Sequence, residues 1–289
     1  MPDSLTIPNS LTMTDTAKRM QGSWPLSAAQ RGIWLGQQLN PQSALYNTAE
    51  CLEILGDLDL KLFERSLRQT VAEAETLNLR FGRVKEEPIQ YVVPSSKWTL
   101  QHLDLSSDPD AKQAAWTWMR QNLSERTHLT KEKLFAQALI CIAPNRYFWY
   151  QRIHHIAIDG YGSSLLIQRV AEIYTALTHG RPVSSCPFSS LQPVLEEDIC
   201  YQTSQQKDCD RAYWLNELAN APEPVSLSAK TAAASHGCLR KSSMLPPEIF
   251  ADLQTVGHCW RTHRKASKSC IDSGLCRFQC FESGSPCLG

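Results

Sequence analysis

Alternation of apolar and polar residues predicts several β-strands in this chain. The two strongest segments, 134–143 and 146–155, are separated only by Pro144-Asn145, so they are expected to pair as a hairpin. The aromatic run at 147–150 alternates between the two faces of the second strand and is expected to fill the core of a sheet. Further strands are predicted at 49–55, 79–84, 88–93 and 237–244.

Apolar residues that recur every three or four positions predict helices around these strands. Ser27 is a fair N-cap for a helix that runs to about Leu39, and Asp59 is placed to cap a helix over 60–75. The apolar stripe of that second helix consists of Phe63, Leu67, Val71 and Ala74. Other helices are predicted at 109–124, 162–177, 193–203, 207–218 and from Pro247 onward.

Together these elements predict an α/β protein, of the two-layer α+β kind, in which helices flank a mixed sheet. Residues 1–22 are polar and are expected to be disordered. Residues 220–236 are rich in Ala, Pro and Ser and are expected to form a linker. The periodic pattern stops at about Gly257, so residues 257–289 form a tail of a different character.

Composition excludes several classes of function. The 289 residues carry 29 basic and 29 acidic side chains, so no basic excess points to nucleic acid. No apolar run is long enough to span a bilayer, and the N-terminus lacks the features of a signal peptide. We therefore expect a cytoplasmic protein without a membrane partner, whose 11 cysteines are reduced thiols.

Cysteines are concentrated in the tail, which also contains His258 and His263. Structural zinc sites usually contain close pairs of ligands, and only Cys276 and Cys280 approach that spacing. We therefore expect no metal site.

A pair of histidines at the end of a predicted strand supplies the candidate chemistry. His154-His155 is followed by three residues and then by Asp159-Gly160, just before a predicted helix. Successive strand side chains point to opposite faces, so the two imidazoles cannot both face one pocket. An imidazole can accept a proton at neutral pH, Asp159 can orient a ring or hold the turn, and Gly160 leaves its N–H approachable. The spacing alone leaves open both a structural histidine pair and a catalytic site.

The pattern His154-His155-x-x-x-Asp159-Gly160 resembles the signature of the condensation domains of nonribosomal peptide synthetases. Their relatives with the chloramphenicol acetyltransferase fold share this signature. A second segment, 26–34, reads LSAAQRGIW and is similar to the first motif of condensation domains. The likeness implies a chloramphenicol acetyltransferase-like fold, with the N-terminal lobe at 23–219 and a linker and the start of the second lobe at 220–256.

The resemblance also implies a reaction and roles for single residues. Condensation domains join a donor acyl thioester to an acceptor aminoacyl thioester, each carried on the phosphopantetheine of a partner carrier protein, and bind no cofactor directly. By this likeness His155 is the catalytic residue and the Gly160 N–H helps to stabilise the oxyanion. His154 is a scaffold residue and Asp159 holds the turn through an ion pair. Gln30 and Arg31, in the first motif, are structural.

Two stretches, 145–152 and 171–174, resemble one member of the family that acts in the synthesis of a catecholate siderophore. This closer likeness implies 2,3-dihydroxybenzoate on an aryl carrier protein as the donor and serine on a peptidyl carrier as the acceptor.

The likeness ends before the tail, and we expect a truncated domain. Our hypothesis is that residues from about Gly257 are an out-of-frame extension, with a disordered native tail as the alternative. Because both lobes form the walls of the tunnel in the family, we expect a chain without its second lobe to keep little activity. Two other functions stay open: a stand-alone acyltransferase that completes its site by oligomerising, and a non-catalytic module that docks carrier proteins.

Overall fold

A computed structural model of the chain describes residues 22–93, 97–222, 246–259 and 279–282. The strands in these ranges form two sheets. The strands are β1 Ser23–Pro25, β2 Asn47–Leu55, β3 Leu79–Val84, β4 Glu87–Val92, β5 Leu100–Asp104, β6 Phe135–Ala143, β7 Arg146–His154 and β8 Gln279–Glu282. The three-stranded sheet has the order β1-β4-β3, and the five-stranded sheet has the order β5-β6-β7-β2-β8.

Helices connect and cover these strands. They are α1 Ala28–Leu39, α2 Leu60–Glu73, α3 Ala111–Leu123, α4 Gly160–Thr178, α5 Gln192–Gln202, α6 Gln205–Glu217 and α7 Pro247–Cys259, with a 3₁₀ turn at Glu75–Asn78 after α2. The predicted caps are confirmed at Ser27, which accepts a hydrogen bond from the Gln30 N–H, and at Asp59, which accepts from the N–H groups of Lys61 and Leu62. Such caps satisfy N–H groups that have no partner inside the helix.

Strand β7 lies in the middle of the larger sheet and determines where the candidate site is. It forms the predicted hairpin with β6 and pairs antiparallel with β2 over its whole length, from Asn47 opposite His154 to Leu55 opposite Arg146. The end of β7 therefore lies between two neighbouring strands, and its last residue is held on both sides.

Helices cover both faces of this sheet. On one face, Met119 of α3 packs in a cluster with Ile140 and Tyr150. On the other face, Leu67 of α2 and Val170 of α4 cluster with the side chain of Trp149. The predicted α/β class, with helices flanking a mixed sheet, is confirmed, and helices lie on both faces of the larger sheet.

The sequence pattern did not predict three strands. Strand β1 has only three residues, and β5 runs parallel to β6 at an edge of the sheet, where Gln101 and His102 are exposed. Strand β8 pairs with β2 from within the tail, between Thr48 opposite Glu282 and Cys51 opposite Gln279. These strands are short or lie at an edge, and their apolar alternation is correspondingly weak.

Part of the predicted organisation lies outside the described residues. This applies to residues 1–21, to the strand at 237–244, and to most of the linker and of the tail. Within the described ranges, none of the helices is both long enough and apolar enough to cross a bilayer.

Candidate active site

The site lies where β7 ends and the chain turns into α4. Two main-chain hydrogen bonds hold this end in place. The His154 N–H donates to the Leu134 carbonyl at 2.7 Å, and the His155 N–H donates to the Tyr46 carbonyl at 2.7 Å. Because these bonds run to segments on either side of β7, the backbone of both histidines is fixed before any side-chain contact is considered.

The His154 side chain is turned into the protein. It is only 2% exposed. Its Nδ1 accepts from the Ile156 N–H at 3.2 Å, so its proton lies on Nε2, which is 3.3 Å from the Gln37 Oε1 atom. Burial, followed by the nearby charges of His155 and Arg152, lowers the pKa of His154 to about 3. This imidazole is therefore neutral at cellular pH, and both of its nitrogens are engaged within the protein.

The His155 side chain is half-buried and has a different arrangement. Its Nδ1 lies 2.7 Å from the Ile158 carbonyl oxygen. A carbonyl can only accept, so Nδ1 must carry the proton and the Nε2 lone pair is left available. Within the part of the chain that the structure describes, Nε2 has no hydrogen-bond partner. The geometry therefore presents Nε2 as a proton acceptor.

The turn after His155 is closed by Asp159, which caps α4. Its carboxylate accepts from the Gly162 N–H at 2.8 Å, and the side chain is exposed. No cation among the described residues lies within salt-bridge distance of this carboxylate, so the expected ion pair of Asp159 stays a prediction. Within the described ranges the turn is held by the helix cap, which needs only a backbone N–H three residues away.

Gly160 is the first residue of α4, where N–H groups have no partner inside the helix. A Cβ atom placed on Gly160 would meet nothing within 4 Å. The space above its backbone is therefore open to a ligand, and the positive end of the helix dipole lies there.

The first motif reaches this turn through Gln30. The Gln30 side chain donates to the Ile156 carbonyl at 3.3 Å and to the Gln90 Oε1 atom at 2.8 Å. Gln90, which is fully buried, donates back to Gln30 at 2.7 Å and to the Pro25 carbonyl at 3.0 Å. Arg31 lies on the surface, with an exposed ion pair to Glu87 at 3.7 Å. Of the two predicted structural residues, the structure therefore brings Gln30, and not Arg31, to the site.

A second polar network connects the first turn of α4 to the larger sheet. The Gln151 amide donates to the Glu50 carboxylate at 2.9 Å and to the Ser163 hydroxyl at 3.3 Å. Burial raises the pKa of Glu50, against the opposing effect of these hydrogen bonds. This network joins β2, β7 and α4, and so fixes the start of α4 relative to the strand that carries the histidines.

Metal ligands do not gather at this site. Among the residues that the structure describes, no three His, Cys, Asp or Glu side chains are close enough together to hold an ion.

A family model described as Condensation domain matches residues 20–253 of this sequence. The chain belongs to the condensation-domain family. It is 47% identical over 235 residues to the dimodular nonribosomal peptide synthase of Bacillus subtilis (strain 168), a match that covers 81% of this chain and 10% of the relative. It is 33% identical over 236 residues to enterobactin synthase component F of Shigella flexneri, covering 80% of this chain and 18% of the relative.

The siderophore-related member suggested by the sequence is therefore a true relative, but its identity is lower than that of the dimodular synthase. A solved structure supports the same family and confirms the predicted fold class. It is a double mutant of the starter condensation domain of rhizomide synthetase RzmA, in complex with C8-CoA and Leu-SNAC. It superposes with a TM-score of 0.71 and 42% identity, over 75% of this chain and 50% of that one.

The chain thus spans about half the length of that solved condensation domain and a tenth to a fifth of these curated relatives.

Sequence reasoning missed several residues that shape this condensation-domain site. Gln37 bonds the buried histidine, the carbonyls of Tyr46 and Ile158 hold His155, and Gln90 anchors Gln30. Every residue type has a main-chain carbonyl, so contacts to the Tyr46 and Ile158 carbonyls cannot be recognised from the sequence. Only Gln90 left a signal, as an amide between Ile89 and Tyr91 within a strand, where a buried polar group needs a partner.

Proposed function

We propose that this chain supplies the half of a condensation-domain active site that carries the catalytic imidazole. In this proposal His155 serves the attack of an amine on a thioester. The observation that carries it is the Nδ1–H bond from His155 to the Ile158 carbonyl at 2.7 Å, which leaves the Nε2 lone pair half-buried and unpaired among the described residues.

The acceptor amine attacks the carbonyl carbon of the donor thioester. An α-amine titrates at about 7.7–8.0, so a substantial fraction is already neutral at cellular pH. As the C–N bond forms, the amine becomes more acidic, and the His155 Nε2 atom takes its proton. The tetrahedral intermediate then collapses, the C–S bond breaks, and the proton passes from His155 to the departing thiolate.

Negative charge develops on the carbonyl oxygen during the attack. We propose that the Gly160 N–H, at the start of α4, donates to this oxyanion. The open space at the position of a Gly160 Cβ atom supports this role, since a carbonyl group can approach the backbone from that side. Asp159 keeps this end of the helix in place by capping the Gly162 N–H.

His154, Gln30 and Arg31 have no role in proton transfer in this proposal. His154 is neutral and closed off by its two hydrogen bonds, so it fixes the end of β7. Gln30 holds the turn through the Ile156 carbonyl, and Arg31 lies at the surface.

We also propose that both substrates arrive on the phosphopantetheine arms of aryl or peptidyl carrier proteins in the cytoplasm, with no cofactor bound to this chain. Two donor and acceptor pairs follow from the relatives. Likeness to enterobactin synthase component F favours a 2,3-dihydroxybenzoyl donor with a seryl acceptor, and likeness to the starter domain solved with C8-CoA and Leu-SNAC favours an acyl donor with a leucyl acceptor.

The test measures amide formation by the full chain and by its His155→Ala variant. Each protein is incubated with C8-CoA and Leu-SNAC, and separately with the 2,3-dihydroxybenzoyl and seryl N-acetylcysteamine thioesters. Product is followed by mass spectrometry. We expect one pair to give an amide and the variant to lose at least about a hundredfold in rate, the usual contribution of a general base. Equal rates of amide formation in both proteins would contradict the catalytic proposal and favour a docking module.

A further inference from the structure

Both carbonyl groups that hold His155 belong to residues whose side chains pack on a glycine. The His155 N–H donates to the Tyr46 carbonyl, and its Nδ1–H donates to the Ile158 carbonyl, each at 2.7 Å. The Tyr46 side chain lies against Gly36 of α1, and the Ile158 side chain lies against Gly162 of α4. Two helices therefore reach the imidazole through the same type of contact.

The contact at Gly162 leaves no room for a larger residue. A Cβ atom there would lie 2.6 Å from the Cγ1 atom of Ile158 and 3.2 Å from its Cδ1 atom. Such distances are well inside van der Waals contact, so Ile158 would have to move. Ile158 is only three residues from His155, and its carbonyl is the acceptor that selects the Nδ1–H tautomer.

The contact at Gly36 is similar but involves an aromatic ring. A Cβ atom there would lie 2.9 Å from the Tyr46 Cζ atom and still closer to its hydroxyl oxygen. The Tyr46 ring also lies 6.0 Å from the His154 ring, centroid to centroid. Displacing this ring would pull on the short segment whose carbonyl receives the His155 N–H.

Backbone conformation does not explain these two glycines. Neither has a positive φ, and both are inside helices, where alanine is the more favourable residue. The same helices contain Gly32 and Gly160, where an added Cβ atom would meet nothing within 4 Å. The chain thus offers a matched pair on each helix, one glycine that is sterically required and one that is not.

We propose that Gly36 and Gly162 are positioning residues for His155. Each admits a side chain whose carbonyl fixes one end of this residue, and together they set the tautomer and the direction of Nε2. The proposal rests on the proposed function only for its catalytic consequence. The state of the ring can be measured without any reaction.

The experiment uses the full chain with ¹⁵N-labelled histidine. Long-range ¹H–¹⁵N spectra report the ratio of the Nδ1–H to the Nε2–H tautomer of His155, with assignment from the His155→Ala variant. We expect Nδ1–H to dominate in the parent chain. We expect Gly162→Ala and Gly36→Ala each to lower the ratio roughly three- to tenfold, as for the weakening of one hydrogen bond. Gly160→Ala and Gly32→Ala, used only for this ring measurement, should leave the ratio within about twofold.

Rescue variants separate the proposed contact from a general loss of packing. Ile158→Ala removes the two closest atoms that a Cβ at position 162 would meet, leaves the Asp159 Oδ1 atom at 3.3 Å and keeps the carbonyl. Tyr46→Ala likewise removes the ring atoms that a Cβ at position 36 would meet and keeps the carbonyl. We expect each rescue variant, combined with its alanine substitution, to return the ratio to within about twofold of the parent. If a single variant does not fold, its double variant takes its place, and a folded double variant with the parent ratio supports the proposal.

Three results would overturn the positioning role: ratios unchanged in Gly36→Ala and Gly162→Ala, equal shifts in the two control variants, or double variants that stay shifted or unfolded. The two proposals can fail separately. A shifted ratio with an unchanged yield of amide contradicts catalysis by His155 and leaves the positioning intact. An unchanged ratio removes the positioning role whatever the yield.

Discussion

Replacing Gln90 by Leu tests the connection between the first motif and the histidine turn. Gln90 is fully buried on β4 and shares two reciprocal hydrogen bonds with Gln30, at 2.7 and 2.8 Å. It also donates to the Pro25 carbonyl at 3.0 Å. A leucine fits the volume but removes these three bonds, so the Gln30 side chain keeps its contact with the Ile156 carbonyl and loses its partner on β4.

The size of the effect follows from these contacts. Three hydrogen bonds at about 1 kcal/mol each, less about 1 kcal/mol for the added apolar burial of leucine, give a loss of about 2 kcal/mol in the free energy of unfolding. Gln30→Leu removes the same reciprocal pair. The double variant should therefore cost about 2 kcal/mol less than the sum of the single variants, because that pair is lost only once.

Urea denaturation of the full chain, followed by tryptophan fluorescence and circular dichroism, measures these differences. Gln101→Leu is the matched control, since Gln101 is exposed on β5 and should change the free energy of unfolding by less than about 0.5 kcal/mol. Strict additivity of the Gln30 and Gln90 variants, or a loss at Gln90 no larger than at Gln101, would refute the reasoning.

Three further predictions concern single contacts and pH. Arg169, 1% exposed, pairs with Glu73 at 2.7 Å, so Arg169→Met should cost about 3 kcal/mol at pH 7 in urea denaturation. Burial alone would raise the pKa of Glu73, but the hydrogen bonds to its carboxylate, above all the one from Arg169, lower this pKa below its usual value. The ion pair therefore contributes to the free energy of unfolding above about pH 4.5, and this contribution is lost as the pH falls further. If Arg169→Met is equally destabilising at pH 7 and at pH 3, this explanation is contradicted. His154, with its pKa lowered to about 3, stays neutral when folded, whereas the unfolded chain takes up a proton below about pH 6.5. The free energy of unfolding should therefore fall between pH 6.5 and 3, by at most about 1.4 kcal/mol per pH unit, and less steeply in His154→Asn. Lys85 and Glu86 have positive φ angles of 48° and 67°, which asparagine and glycine adopt more easily. The double variant Lys85→Asn with Glu86→Gly should therefore raise the thermal midpoint and increase the free energy of unfolding by about 1 kcal/mol. A lower midpoint would count against a strained turn.

Elements with strong local signals were predictable from the sequence. The Ser27 and Asp59 caps act on N–H groups two or three residues away, and the hairpin at Pro144-Asn145 joins adjacent strands. The apolar stripe of α2 lies on one face of a single helix and is buried as predicted. In each case the partners are neighbours along the chain, so the pattern contains the contact.

The motif that identified the family was also visible in the sequence, and so was the rule that His154 and His155 must face different surroundings. Which histidine is buried was decided elsewhere. His154 meets Gln37 across 117 positions of sequence, and the Tyr46 carbonyl holds the His155 N–H from a loop before β2. The Gln30–Gln90 pair, which joins residues 60 positions apart, likewise forms only because folding brings α1 next to β4.

Sequence alone determined the local elements and the α/β class, because these depend on residue type and short spacing, and the resemblance to condensation domains indicated His155 as the candidate catalytic residue. Tertiary structure alone decided the tautomer of His155, the closed environment of His154 and the close packing of Tyr46 on Gly36 and of Ile158 on Gly162. The physical reason is that these properties depend on carbonyl positions and on free volume, which any residue type can supply and which only the packed arrangement of β7, α1 and α4 defines.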